Sequence, residues 1–166
     1  MRHIYSLNEL HLDKTHLTIG VFDGVHYGHQ KIISALTKDA KKNGATSLVI
    51  SFYPHPAAVL GKRENVKYLT LPEEKAEILA RMDVDVLLTH PFSQEVGARS
   101  PKEFMKAILA RVKVEKLLIG YDFALGKNRI GNADYLKSLG LELGYALETF
   151  KPLSSGSDII SSSRVR

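Results

Sequence analysis

The sequence predicts an α/β domain of Rossmann-like, doubly wound type: a mainly five-stranded parallel sheet with helices on both faces. Two observations carry that expectation. Short, β-branched apolar runs alternate with stretches of helical period, and strands separated by helices imply parallel pairing through right-handed crossovers. The length, 166 residues, is that of one domain able to bury a sizeable core.

The first strand is predicted at 17–22 (LTIGVF), followed by a helix over 28–43 whose Ile32, Ile33, Leu36 and Ala40 share one face and whose stop is Gly44. A second strand occupies 46–52 (TSLVISF). Thr70-Leu71-Pro72-Glu73 reads as a capping box with proline in the first turn, opening a helix to about Met82. A third strand follows at 84–89. Ser100-Pro101-Lys102-Glu103 repeats the capping device ahead of a stripe formed by Phe104, Ile108 and Val112. The remaining expectations are a strand at 115–120, a helix over 131–141 and a fifth strand at 144–150, while 53–69 and 151–159 have no clear period.

Composition narrows the chemistry. With no cysteine there is no disulfide scaffold, thiolate zinc site, iron–sulfur cluster or cysteine nucleophile, and the expected compartment is the cytoplasm. No apolar run approaches the roughly 18 residues of a membrane span, and 1–14 lacks the apolar core of a signal peptide, so no membrane partner is expected. A net charge of +5 favours anionic partners, unless it is simply a solvated basic surface. The basic residues occur only as isolated doublets, Lys41-Lys42 and Lys62-Arg63, which argues against a nucleic-acid-binding arm.

In a doubly wound sheet, ligands bind outside the carboxyl ends of the strands where strand order reverses. That rule gathers 22–29, 52–56, 120–132 and the tail after 150 on one rim. The first segment, GVFDGVHYGHQ at 20–30, reads as a strand end, a glycine turn and a helix start. Glycines there allow close backbone approach, and the free N–H groups of a first helical turn suit phosphate. His26 and His29 straddle the turn and can donate to one anion. The segment is neither G-x-G-x-x-G nor a Walker A loop. A zinc pair completed by His55 or Asp23 is the competing reading of the two histidines.

GVFDGVHYGHQ resembles the H-x-G-H signature of the nucleotidylyltransferase superfamily. Ser51-Phe52-Tyr53-Pro54-His55-Pro56 resembles the S-F-x-P-H-P element of bacterial FAD synthetases. The stretch from Gly120 through Asn132 (GYDFALGKNRIGN) resembles their G-x-D-F-x-F-G-K-x-R-x-G-N segment, and ISSSRVR at 160–166 resembles I-S-S-T-x-I-R. Four motifs in order span essentially the whole chain. They resemble the adenylyltransferase domain of the bifunctional riboflavin kinase/FMN adenylyltransferase family. The 166 residues are read as that single domain, without a riboflavin kinase domain, so flavin phosphorylation is not expected. Leu125 departs from the pattern, standing where the family has phenylalanine.

The resemblance implies ATP and FMN as substrates, FAD and pyrophosphate as products, and magnesium with the nucleotide. The FMN phosphate already carries the nucleophilic oxygen, so catalysis reduces to placing it in line with the α-phosphorus, with no covalent intermediate. The implied catalytic set is His26, His29, Ser162 and Arg164. Phe22, Asp23, Gly24 and Gly28 shape the loop around ATP, and Ser161, Ser162, Ser163 and Arg164 close over its outer phosphates. His55, Asp122, Phe123, Leu125, Lys127, Arg129 and Asn132 fall to the flavin and its phosphate. Without further chain to continue a helix, 161–166 is expected to fray unless a ligand or another chain holds it. No metal ligand is assigned and the oligomeric state is left open. Rival readings are a related transferase with another phosphate acceptor, a silent flavin- or nucleotide-binding module, and an RNA binder; the H-x-G-H pair argues against the second and the lack of an aromatic basic stripe against the third.

Overall fold

The computed structural model describes residues 1–151, 154–155 and 158–159. Its frame is six strands, β1 (Arg2–Ile4), β2 (Leu12–Ile19), β3 (Thr46–Tyr53), β4 (Val86–Pro91), β5 (Val112–Gly120) and β6 (Ala146–Phe150). They pair in parallel throughout, in the order β1-β4-β3-β2-β5-β6. The helices are α1 (Tyr27–Lys42), α2 (Pro56–Val59), α3 (Pro72–Arg81), α4 (Gln94–Ala98), α5 (Pro101–Leu109) and α6 (Ala133–Leu143).

Period-two alternation decides which way each apolar run faces. Leu48, Ile50, Leu117 and Ile119 point to the side covered by α5 and α6, where they meet Phe104, Met105, Ile108, Leu136 and Leu139. Val49, Leu87 and Leu118 point to the opposite side, beneath Ile33 and Leu36 of α1 and Leu79 of α3. Strands buried on both faces carry near-continuous apolar runs, which is why 46–52 and 115–120 stand out in the sequence. At about 1.5–3 kcal/mol for each fully buried aliphatic side chain, these two layers are the main source of stability.

Four features differ from expectation. The sheet has a sixth strand, β1, at the edge beside β4. β2 starts earlier than predicted and ends at Ile19, because Phe22 turns into the left-handed region at φ 52° and leaves the sheet. α5 stops at Leu109, and Val112 opens β5 instead of extending the helical stripe. The Ser100–Glu103 box forms as expected, but the one before α3 is shifted by a residue: Glu74 accepts from the Leu71 N–H at 2.7 Å. Thr70 is drawn away, its hydroxyl accepting from the Gly24 N–H at 3.0 Å.

The chain steps outward from β2 to β3 and β4, then returns through α4 and α5 to β5 on the other side of β2. Progress along the sheet therefore reverses between β2 and β5. The carboxyl ends of these two strands frame a crevice. Beyond β6, Ser154–Ser155 pairs antiparallel with Asp158–Ile159. Among the described residues no helix is long and apolar enough to cross a membrane.

Candidate active site at the switch point

The connection from β2 to α1 is built from strained and tethered backbone. Phe22, Gly24 and Val25 all have positive φ, at 52°, 77° and 41°. Val25 is β-branched and buried, so its left-handed conformation costs free energy that the surrounding contacts must offset. Those contacts are specific. The Asp23 carboxylate is buried and accepts from the Leu69 and Thr70 N–H groups at 2.9 and 3.0 Å. A Cβ on Gly24 would come within 2.7 Å of the Leu69 side chain, so the 69–70 segment packs directly on the bend.

His26 occupies the N-cap of α1, where its Nδ1 accepts from the His29 N–H at 3.4 Å. A ring that accepts through Nδ1 carries its proton on Nε2, leaving that N–H as a donor. The His26 and His29 rings stack at 3.6 Å between centroids, and Phe22 packs edge-on against His29 at 5.1 Å. Burial first, and then the neighbouring His26 and Lys75, push the His29 pKa down to about 3, so the imidazole is neutral at pH 7. Its Nδ1 is buried without a hydrogen-bond partner. His26 is also held below the usual histidine value by burial, opposed in part by Asp122 across the crevice.

A cleft of about 460 Å³ opens above the switch point. One wall is the end of β2 and the bend after it, residues 18–22, with His29 and Ile32. The other is residues 120–126 with Asn128 and Arg129, closed at one end by Phe52, Phe92 and Phe104. These three phenylalanines form a cluster, Phe52 lying 5.7 Å from Phe92 and 5.9 Å from Phe104. Among the described residues, Lys62, Arg99 and Arg129 place cations on the lining against one carboxylate, that of Asp122. Leu125 is buried at the junction of cleft and core. Gly126, at φ 81°, and Gly131 both press on Pro101, where a Cβ would approach to 2.6 and 2.7 Å.

A family model described as FAD synthetase matches residues 8–164. The chain belongs to the FAD synthetase family. It is 32% identical over 168 aligned positions to the bifunctional riboflavin kinase/FMN adenylyltransferase of Buchnera aphidicola subsp. Schizaphis graminum, covering 100% of this chain and 54% of that protein. It is 34% identical over 151 positions to the protein of the same description from Listeria monocytogenes (90% and 48% covered), and 30% identical over 167 to that from Escherichia coli K12 (100% and 53%). The chain thus spans about half the length of these relatives. Among solved structures, one from Streptococcus pneumoniae described as a macrolide-efflux protein superposes with a TM-score of 0.84 at 23% identity, over 98% of this chain and 53% of that one. Pantoate-beta-alanine ligase from Francisella tularensis superposes with a TM-score of 0.61 at 16% identity, over 99% and 72%. At these identities the likeness is one of fold.

The residues singled out in the sequence fall into four groups. Phe22, His29, His55, Asp122, Phe123, Leu125 and Arg129 line the cleft together. His26, Gly24 and Gly28 build the bend beside it, without lining it. Asp23, Lys127 and Asn132 do not line it: Asp23 holds backbone N–H groups, Lys127 is exposed, and Asn132 caps α6 by accepting from the Tyr135 N–H at 3.0 Å. Ser161, Ser162, Ser163 and Arg164 lie outside the described residues. His55 caps α2, its Nδ1 accepting from the Ala57 N–H at 3.0 Å, and its backbone N–H donates to the Tyr68 hydroxyl at 2.9 Å.

Sequence reasoning missed Lys62 and Arg99, which sit in stretches where nothing in the pattern separates a cleft cation from a solvated one. The zinc reading of the histidine pair fails, since the two rings stack face to face and no group of three His, Asp or Glu side chains among the described residues is arranged to hold a metal ion. Among the described residues, magnesium likewise finds no cage of three His, Asp or Glu side chains there.

Proposed function

We propose that this chain transfers AMP from ATP to FMN, giving FAD and pyrophosphate. An oxygen of the FMN phosphate forms the new bond to the α-phosphorus. The bond from that phosphorus to the bridging oxygen breaks, and its electron pair leaves with pyrophosphate. No side chain has to be deprotonated to make the nucleophile, which suits a site whose histidines are neutral. Magnesium enters with ATP as part of the nucleotide substrate.

The observation that carries this reading is the pairing of two unlike walls across the β2/β5 crevice. One offers neutral, preorganised N–H donors: the His29 imidazole on the lining and, from the bend beside it, the His26 Nε2–H and the amides at the start of α1. Such donors stabilise charge that develops on phosphate oxygens without reorganising. The other combines an aromatic end (Phe52, Phe92, Phe104, with Phe123) and cations (Lys62, Arg99, Arg129), the two requirements of a flat ring system carrying a phosphate. A cleft of 460 Å³ is within the usual range for ligand pockets. Ser161, Ser162, Ser163 and Arg164 enter the proposal through the family motif, as donors to the outer phosphates. The kinship in fold with pantoate-beta-alanine ligase, solved in complex with beta-gamma ATP and beta-alanine, fits a nucleotide as one substrate.

The test is incubation with ATP, magnesium and either FMN or riboflavin, with products separated by chromatography. FAD and pyrophosphate are expected from FMN, and no flavin product from riboflavin. Quenching of flavin fluorescence without pyrophosphate release would instead identify a binding module. Turnover of another phosphate acceptor above FMN would reassign the substrate.

A further inference from the structure

α3 carries its apolar stripe toward the sheet, and one position on that stripe is a lysine. Pro72, Lys75 and Leu79 are its buried residues, and Lys75 is only 6% exposed. Its ammonium lies beneath the bend rather than in the cleft. Nζ donates to the Val21 carbonyl at 2.7 Å and to the Ser51 hydroxyl at 2.9 Å, and the Ser51 hydroxyl itself donates to the Val21 carbonyl at 2.8 Å. Val21 lines the cleft and is the last residue before the left-handed turn at Phe22. Ser51 belongs to β3, the strand that leads to the His55 corner.

We infer that Lys75 is a positioning residue for the transfer proposed above: from below the sheet edge it clamps the Val21 carbonyl against Ser51 and so fixes the bend that presents residues 22–29 to the nucleotide. The inference rests on that reading of the reaction only for its kinetic consequence; the clamp itself is a property of the free chain. α3 and its lead-in hold the bend at three points, through Lys75 on Val21, through the Leu69 and Thr70 N–H groups on Asp23, and through the Thr70 hydroxyl on Gly24. A purely structural role does not call for a cation. Ser51 already satisfies the Val21 carbonyl, and an aliphatic side chain would complete the stripe at lower desolvation cost. Burial pushes the Lys75 pKa down to about 8, against the pull of Asp23 from the same bend, so the group stays protonated at neutral pH. Its charge also reaches His29 on α1 and His3 on β1, in both cases disfavouring the imidazolium. The site thus keeps a fixed positive charge under an uncharged donor pair, an arrangement suited to an incoming polyanion.

The test uses Lys75→Met, which keeps an unbranched side chain one atom shorter and without the charge, and Ser51→Ala, which removes one arm of the clamp and leaves the lysine. Two readouts are taken on the full chain. Hydrogen exchange without substrate should be at least about 10-fold faster at the amides of residues 22–25 in Lys75→Met, with β3 and β5 unchanged. With ATP and FMN, kcat/KM for ATP should fall about 10²-fold while KM for FMN stays within about twofold, as expected when one substrate's seat is misplaced. Ser51→Ala should fall between, at about 2- to 10-fold, because it removes the two hydrogen bonds of the Ser51 hydroxyl but leaves Lys75 on the Val21 carbonyl. Unchanged exchange at residues 22–25 overturns the clamp, as does a Lys75→Met enzyme with wild-type kcat and KM for ATP. If Lys75→Met does not fold, the same two readouts on Ser51→Ala decide. If the wild-type chain makes no FAD, the proposed reaction fails, and the exchange result alone decides for or against the clamp.

Discussion

The connections that follow β2 and β5 face each other across the same crevice, yet they are held in opposite ways. Both contain left-handed non-glycine residues, Phe22 and Val25 in the first, Asn128 and Arg129 in the second. In both, a cation grips a backbone carbonyl: Lys75 holds that of Val21 at 2.7 Å, and Arg129 holds that of Asp122 at 2.7 Å. Lys75 is buried and works from below, whereas Arg129 is exposed and works from within its own loop. The first bend hides Phe22, Asp23 and Val25, while the second leaves Tyr121, Asp122 and residues 127–130 on the surface. A tethered, buried bend suits fixed donors aimed at a triphosphate. An exposed segment pinned mainly at Gly126 and Gly131 suits a ligand that it must partly wrap.

If the first connection supplies transition-state donors, His29→Ala should have the largest effect, lowering turnover about 10²-fold or more with the fold retained. Steady-state kinetics together with circular dichroism checks this, and unchanged turnover would remove the imidazole from the chemistry. The same histidine sets a pH signature. Its pKa is about 3 when folded and ordinary when unfolded, so between about pH 6.5 and 3 the unfolded chain binds the extra proton. Stability should therefore fall as pH falls through that window, by up to about 1.4 kcal/mol per pH unit from this group. His26, His3 and His90, also held low chiefly by burial, add in the same direction. Urea titrations between pH 7 and 4 should show a steeper loss for the wild type than for His29→Ala.

The second connection should respond through packing. A Cβ at Gly131 would meet the Leu125 carbonyl oxygen at 2.6 Å and the Pro101 ring at 2.7 Å, neither of which can swing aside. Gly131→Ala should cost about 1–3 kcal/mol and raise KM for FMN more than KM for ATP, read by thermal melts and kinetics. Arg129→Ala removes an exposed, loop-internal contact and should change stability by less than about 1 kcal/mol. A larger loss of stability there would mean that the second bend is as rigidly tethered as the first.

The fold was legible wherever burial imposed a continuous apolar run or a strict helical stripe. β3, α1 and the Ser100 cap follow the sequence reading to within a residue or two. β1 did not show because Arg2-His3-Ile4 is too short and too polar to display a period, although it completes the sheet edge. Gly20-Val21-Phe22 misled in the other direction: Gly20 and Val21 are half-buried against the cleft and Phe22 is buried in the bend, so the apolar run does not continue the strand. Within the site, the switch-point rule gathered segments of which 22–29, 52–56 and 120–132 contribute to one cleft, but side-chain direction was hidden. Asp23 and Asn132 carry groups that suit substrate equally well as backbone N–H, and the fold uses both on backbone. Lys75 was hidden for the opposite reason, since a lysine on a helix reads as solvated until the stripe it interrupts is seen to face the sheet.

The central claim is that a triphosphate seated on the bend after β2 lies in line with a flavin phosphate held by the segment after β5. A crystal structure with FMN and a non-hydrolysable ATP analogue tests it most directly. The account predicts the nucleotide phosphates beside His26 and His29, the isoalloxazine against the Phe52 and Phe123 end of the cleft, and the FMN phosphate opposite the leaving pyrophosphate. Nucleotide density away from the histidine pair, or the two ligands on separate faces of the sheet, would contradict it.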